Sequence, residues 1–149
     1  MTSRREQILQ AAMETLAEIM APGVDGYIPV DRDPMLPTDR STNVLIVVDW
    51  KKETVATLTS DREEVSMMIE MAVQMRAQNW TDQERTVLDG LMSKAHKALM
   101  SDRTLGGLCQ AIYRRGATRD TQVAGDVIGE ITHAYEIIYR HKASDLEAI

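Results

Sequence analysis

Three histidines, one cysteine and a glycine pair are the residues of this 149-residue chain best suited by type to do chemistry. His96, His133 and His141 could serve as bases or metal ligands. None has a Cys, Asp or Glu partner at a recognised ligand spacing. Cys109 has no base near it in sequence, and as the single cysteine it cannot form an internal disulfide, which fits a reducing cytoplasm. His133 falls on an apolar alternating face, where a satisfied, half-buried imidazole is the simpler reading. Gly106-Gly107 lacks the GxGxxG or GxxxxGK[ST] pattern that cradles phosphate, so a turn requirement explains it better. Asp31, Asp33 and Asp39 are interleaved with Arg32 and Arg40, as in a solvated loop rather than a cation site. These readings supply no catalytic residue, no cofactor and no metal, and the chain is expected not to be an enzyme.

Charge is the remaining chemical signal. Between Lys94 and Arg119 stand six basic residues, Lys94, Lys97, Arg103, Arg114, Arg115 and Arg119, and one acid, Asp102. Six against one is +5, which leaves −11 for the rest of a chain whose total is −6. A basic island in an acidic molecule suits docking against a neighbour's acidic side. Its bland counterpart is a set of cations solvated around a helix end. Arg114, Arg115, Arg119, Arg103 and Lys97 are therefore the candidate partner-binding residues. Nucleic acid is a weaker partner, because only Tyr113 offers a ring among them and the chain as a whole is acidic.

The elements that must position these residues are organised around Glu64–Arg76. There Val65, Met67, Ile69, Met71, Val73 and Met75 alternate with Ser66, Met68, Glu70, Ala72, Gln74 and Arg76. Helical spacing is also present, but six apolar positions at period two favour a strand with one face on the core. Upstream, Ser3 and Glu6 can form a capping box for a helix burying Ile8, Leu9, Ala12, Met13, Leu16, Ile19 and Met20. Pro22-Gly23 stops it, and Tyr27–Asp31, with Pro29 inside, reads as an edge or bent strand. Residues 31–43 read as a long flexible loop. Val44–Lys52, continued by Glu53–Ser60, is a strand that should pair with Glu64–Arg76 in a long antiparallel hairpin. Thr81 and Glu84 form a second capping box, for a helix reaching about Ser101 that presents Val87, Leu88, Leu91, Met92, Ala95 and Leu99. Asp102–Gly107 is a connector, Leu108–Arg115 a strand, Gly116–Gly125 a loop and Val127–Arg140 a last strand, with a frayed end over 141–149.

The expected architecture is thus a single α+β domain over 1–149. It has a mostly antiparallel twisted sheet, two helices on one face and a long protruding hairpin. The length is sufficient for a core without disulfides or metals, and that core is rich in methionine, ten against no phenylalanine. No run of about 18 apolar residues occurs, so a soluble protein made in the cytosol is expected, with no membrane partner.

The C-terminal half carries a resemblance. Lys97-Ala98-Leu99-Met100-Ser101-Asp102-Arg103-Thr104-Leu105-Gly106-Gly107-Leu108 closes a helix, and a polar segment follows. Ala124-Gly125 then leads to a strand ending Ala134-Tyr135-Glu136-Ile137-Ile138-Tyr139-Arg140. The D-x-TLGGL turn and the Y-x-I-x-Y-R strand resemble the tail terminator (minor tail protein U-like) family of long-tailed bacteriophages and prophages. The N-terminal helix, the proline-containing loop and the central hairpin agree in order, so the likeness covers most of the chain. The resemblance implies an α+β virion subunit, assembled in the bacterial cytoplasm, that forms a ring, usually a hexamer, on the tail tube. Such a ring stops tube polymerisation and offers a surface for head joining. Its implied partners are copies of itself, the tail tube protein and a head-completion or connector protein. DNA would pass through the ring without sequence-specific binding. A head–tail connector or neck protein is the alternative, and a small cytosolic enzyme with an unrecognised site is a further one.

Overall fold

Strand pairing on both sides of one segment sets the layout of this computed structural model, which describes residues 2–19, 28–32 and 43–146. The elements are α1 (Arg4–Leu16), β1 (Val30–Asp31), β2 (Val44–Thr57), β3 (Arg62–Ala77), α2 (Asp82–Met100), β4 (Ala111–Ala124) and β5 (Asp126–Lys142). They form a five-stranded sheet of order β1-β2-β3-β5-β4, with β1 parallel to β2 and every other pair antiparallel. With its two helices this is an α+β fold.

The alternation in β3 does what period two predicts. Val65, Met67, Ile69, Met71, Val73 and Met75 are all buried, in one cluster with Ile8, Leu9, Leu16, Leu91, Met92 and Leu99 of the helices. The hairpin with β2 runs from Val44↔Met75 to Thr57↔Glu63, broken by a bulge at Lys51. On its other side β3 pairs with β5 from Arg62↔Lys142 to Ala77↔Val127. Fully burying one Ile or Met side chain contributes about 1.5–3 kcal/mol, so this single face is the main apolar asset of the sheet. The opposite face of β3 is not uniformly open: Gln74 is buried and donates from Nε2 to Glu130 Oε2 at 2.6 Å.

Helix starts follow the caps, with one difference. At α2 the box closes, because the Thr81 side chain accepts from the helix backbone and Glu84 reaches back to the Thr81 N–H. At α1 only half forms: Ser3 Oγ accepts from the Glu6 N–H. The Glu6 carboxylate instead pairs with Arg32 Nη1 at 2.5 Å, and Arg32 Nη2 lies 2.9 Å from Asp49 Oδ1. One guanidinium just after β1 therefore joins α1 to β2, and those two carboxylates raise its pKa further. The expected solvated charge of Arg32 is a tertiary tie.

The largest correction concerns the expected loop over Gly116–Gly125 and the strand Leu108–Arg115. β4 starts at Ala111 and continues to Ala124, and the chain reverses at Gly125, whose φ is +81°. Thr118, Thr121 and Val123 suit a strand, but no apolar alternation marks them, because both faces of this edge strand are exposed. The expected frayed end is not found over 141–146, and residues 147–149 lie outside the described residues. His141 and Lys142 belong to β5, and Leu146 O accepts from the Arg4 N–H at 2.8 Å. Residues 33–42, most of the expected 31–43 loop, and Met20 and Pro22-Gly23 lie outside the described residues.

The two faces of β3 should respond differently to charge. Ile69→Asp buries an unpaired carboxylate against Trp50 and Tyr135, its partners in β2 and β5, and is expected to abolish cooperative unfolding at 25 °C. Gln74→Asp should also destabilise, by setting a second carboxylate beside Glu130. Exposed Glu70→Gln should shift stability by no more than about 0.5 kcal/mol. Chemical denaturation of the three variants checks this.

Candidate interaction surface

The D-x-TLGGL segment is a turn built by one carboxylate. Asp102 accepts from the Thr104 N–H (3.0 Å) and hydroxyl (2.7 Å) and from the Gly106 N–H (2.8 Å). Three successive residues then take left-handed backbone: Leu105 (φ 48°), Gly106 (71°) and Gly107 (88°). Glycine carries no penalty there, whereas Leu105 tolerates it while burying its side chain. The three donors hold the Asp102 carboxyl below its usual range. The turn hands the chain to β4, and Arg103 fixes that entry by donating from Nε (3.1 Å) and Nη2 (2.7 Å) to the Ile112 carbonyl.

The basic island does not form one patch. A bulge at Arg115 separates adjacent arginines: Arg114 sits opposite Tyr135, on the helix side, while Arg115 bonds Glu136 Oε1 at 2.5 Å on the helix-free side. Tyr113 lies between two cations, with the Arg115 guanidinium 4.9 Å and that of Arg103 5.4 Å from its ring centre. Arg119, expected in a loop, is mid-strand opposite Ile131 on the helix side. Lys97 is exposed in the last turn of α2. Among the described residues, neither Arg114 nor Arg119 has a carboxylate within ion-pair distance.

The histidines occupy two unrelated places. His96 of α2 and His133 of β5 both reach the buried Tyr135 hydroxyl, with Nδ1 at 2.8 and 3.3 Å, and their rings stand 5.6 Å apart. The hydroxyl can donate to one neutral ring and accept from the other. Burial foremost, then the Arg114 charge, lowers both pKa values; His96 lowers that of His133 further and Asp89 opposes it. His141 is buried at the far end of β5, its Nε2 3.7 Å from Glu63 Oε1. Cys109 is buried too, its thiol pushed up to about 11 mainly by burial, which removes the thiolate needed for nucleophilic chemistry. No group of three His, Cys, Asp or Glu side chains among the described residues could hold a metal. No helix among the described residues is long and apolar enough to cross a membrane.

A cleft of about 450 Å³ opens beside Arg119, between the start of α2 and the β4–β5 hairpin, with Trp80, Leu88, Gly129 and Ile131 as its apolar lining. Trp80 lies directly on the backbone of Gly129: a Cβ there would fall 2.3 Å from two indole carbons. No local motif marks this glycine's role, because its partner Trp80 is 49 residues away, just before α2.

No family model matches the sequence, and no curated protein matches it.

Two outcomes test this geometry. Gly129→Ala should cost about 1–3 kcal/mol by displacing the indole, read as a lower melting temperature with altered tryptophan fluorescence. For the imidazoles the sign follows from lowered folded pKa values. The unfolded chain takes up protons first, so their contribution is intact above about 6.5 and is lost as pH falls through the lower folded values. Melting temperature should drop between pH 7.5 and 5, and His96→Asn with His133→Asn should flatten that part of the profile.

Proposed function

We propose that this chain is a structural virion subunit, a phage tail terminator. In this role it forms a ring on the end of the tail tube, ends tube growth and offers the surface for head joining. The supporting observation is the placement of the two stretches that carry the family resemblance. The Asp102–Leu108 turn delivers the chain to β4, and the Tyr135–Arg140 segment belongs to β5, the strand that holds β4 in the sheet. Both stretches serve to present one exposed, arginine-bearing edge strand. Exposed edges are aggregation hazards unless covered, and a closed head-to-tail ring covers them. In this reading Arg119 and Lys97 meet acidic surface on a neighbouring subunit, the tube or the head-side protein. The ring is usually of six, DNA passes through it, and the subunit carries out no catalysis.

Sedimentation and negative-stain microscopy should show rings, and these should bind tail-tube ends; binding to filled heads instead would assign the chain to the neck. Arg115 is already committed to Glu136, and Arg114 faces the imidazoles. The clean charge reversal is therefore Arg119→Glu with Lys97→Glu. Exposed charges contribute under about 1 kcal/mol to stability, so melting should hold. Like charges across an interface cost several kcal/mol, so ring formation or tail completion should fail. Normal assembly by this variant would contradict the proposed role of the basic residues.

A further inference from the structure

The sheet has two open edges among the described residues. One is β4. Its start is closed by Arg103 on the Ile112 carbonyl and by the bulge at Arg115, which leaves Gly116–Ala124 as an unmodified edge. The other is the outer half of β2, since β1 covers only Ile46 and Val47. Among the described residues, four of the five large exposed apolar side chains lie on or beside these edges: Tyr113 and Val123 of β4, and Val55 and Leu58 of the β2 hairpin. Charge can pair residue by residue as well: the open part of β4 carries Arg119 and Asp120, and the outer half of β2 carries Lys52 and Glu53.

Strand direction permits that pairing. β2, β3, β5 and β4 are successively antiparallel, so β4 runs opposite to β2. A rotation that brings a second copy alongside keeps this sense, and the new pair is antiparallel. Facing side chains must share a side of the sheet, so the offset between copies is an even number of residues. The open part of β4 lies level with the covered part of β2, so the offset cannot be zero. An offset of six sets Thr54 against Thr118, Glu53 against Arg119 and Lys52 against Asp120. Six residues are about 20 Å of strand and four strands about 19 Å of sheet. The resulting slope, about 46°, is close to the tilt at which sheets close. Asp120 also lies opposite Glu130 within its own sheet, an acidic pair that a neighbour's Lys52 would neutralise.

We propose that the partner for the Gly116–Ala124 edge is the Lys52–Val55 edge of a second copy of this chain, giving a sheet continuous from subunit to subunit. This rests on the ring reading above and specifies its contact. Thr54→Cys and Thr118→Cys chains, mixed in equal amounts and mildly oxidised, should link to each other, and neither should link alone. In parallel, Lys52→Glu or Asp120→Lys alone should raise the concentration needed for half-assembly by about fivefold, and the two in one chain should restore it. Rings that form without the mixed link, or unaffected by either charge change, overturn the edge pairing and leave the ring reading standing. Links between two Thr118→Cys chains overturn it in favour of a two-fold dimer. A native chain that stays monomeric at all concentrations overturns both.

Discussion

Pairing of β3 with β2 on one side and β5 on the other is the constraint on which the rest depends. With both edges satisfied, β3 fixes which side chains face the helices, and a slip of one residue would send the whole Val65–Met75 set to the other side. The core, the seat of α2 and the Tyr135 contact with His96 all follow from that register. Side-chain ties then lock the periphery to it. Arg32 joins α1 to β2, and Tyr139 donates to Glu53 Oε1 at 2.7 Å, a carboxylate that Arg5 also approaches at 3.3 Å.

Placing the buried strand at the centre moves the unsatisfied backbone outward. β5 must lie between β3 and β4, so the last hairpin puts a fourteen-residue strand at the border, with the side chains of residues 113–123 in solvent. The chain closes the beginning of that border with a bulge and with Arg103, both common ways of blunting an edge. The far part carries neither device. The groups most suited to catalysis are meanwhile drawn inward: Cys109 is a buried, protonated thiol, and His96 and His133 share a tyrosine hydroxyl.

Much of this was legible in the residues. β3 was readable because one of its faces is wholly buried and so leaves a period-two trace, and α2 because Thr81 and Glu84 sit at capping distance. β4 beyond Gly116 was not, since a strand exposed on both faces has no apolar alternation, and glycines at both ends imitate a loop. The sign of the basic island was visible, but its division between two faces depends on a bulge that spacing does not encode. Arg32 looked solvated among aspartates because its partners, Glu6 and Asp49, are 26 and 17 residues away. The pairing of His96 and His133 through Tyr135 likewise needed the fold, since 39 residues separate the first ring from the hydroxyl.

If the open part of β4 is a contact edge between subunits, its amides must lose access to solvent on assembly. Hydrogen exchange at the amides of residues 117–123, followed by mass spectrometry on dilute and concentrated protein, tests it most directly. Fast exchange is expected in the dilute monomer and slow exchange in the assembled state, together with slowing at residues 52–55, while β3 amides remain protected throughout. An assembled ring in which residues 117–123 exchange as fast as in the monomer would contradict it.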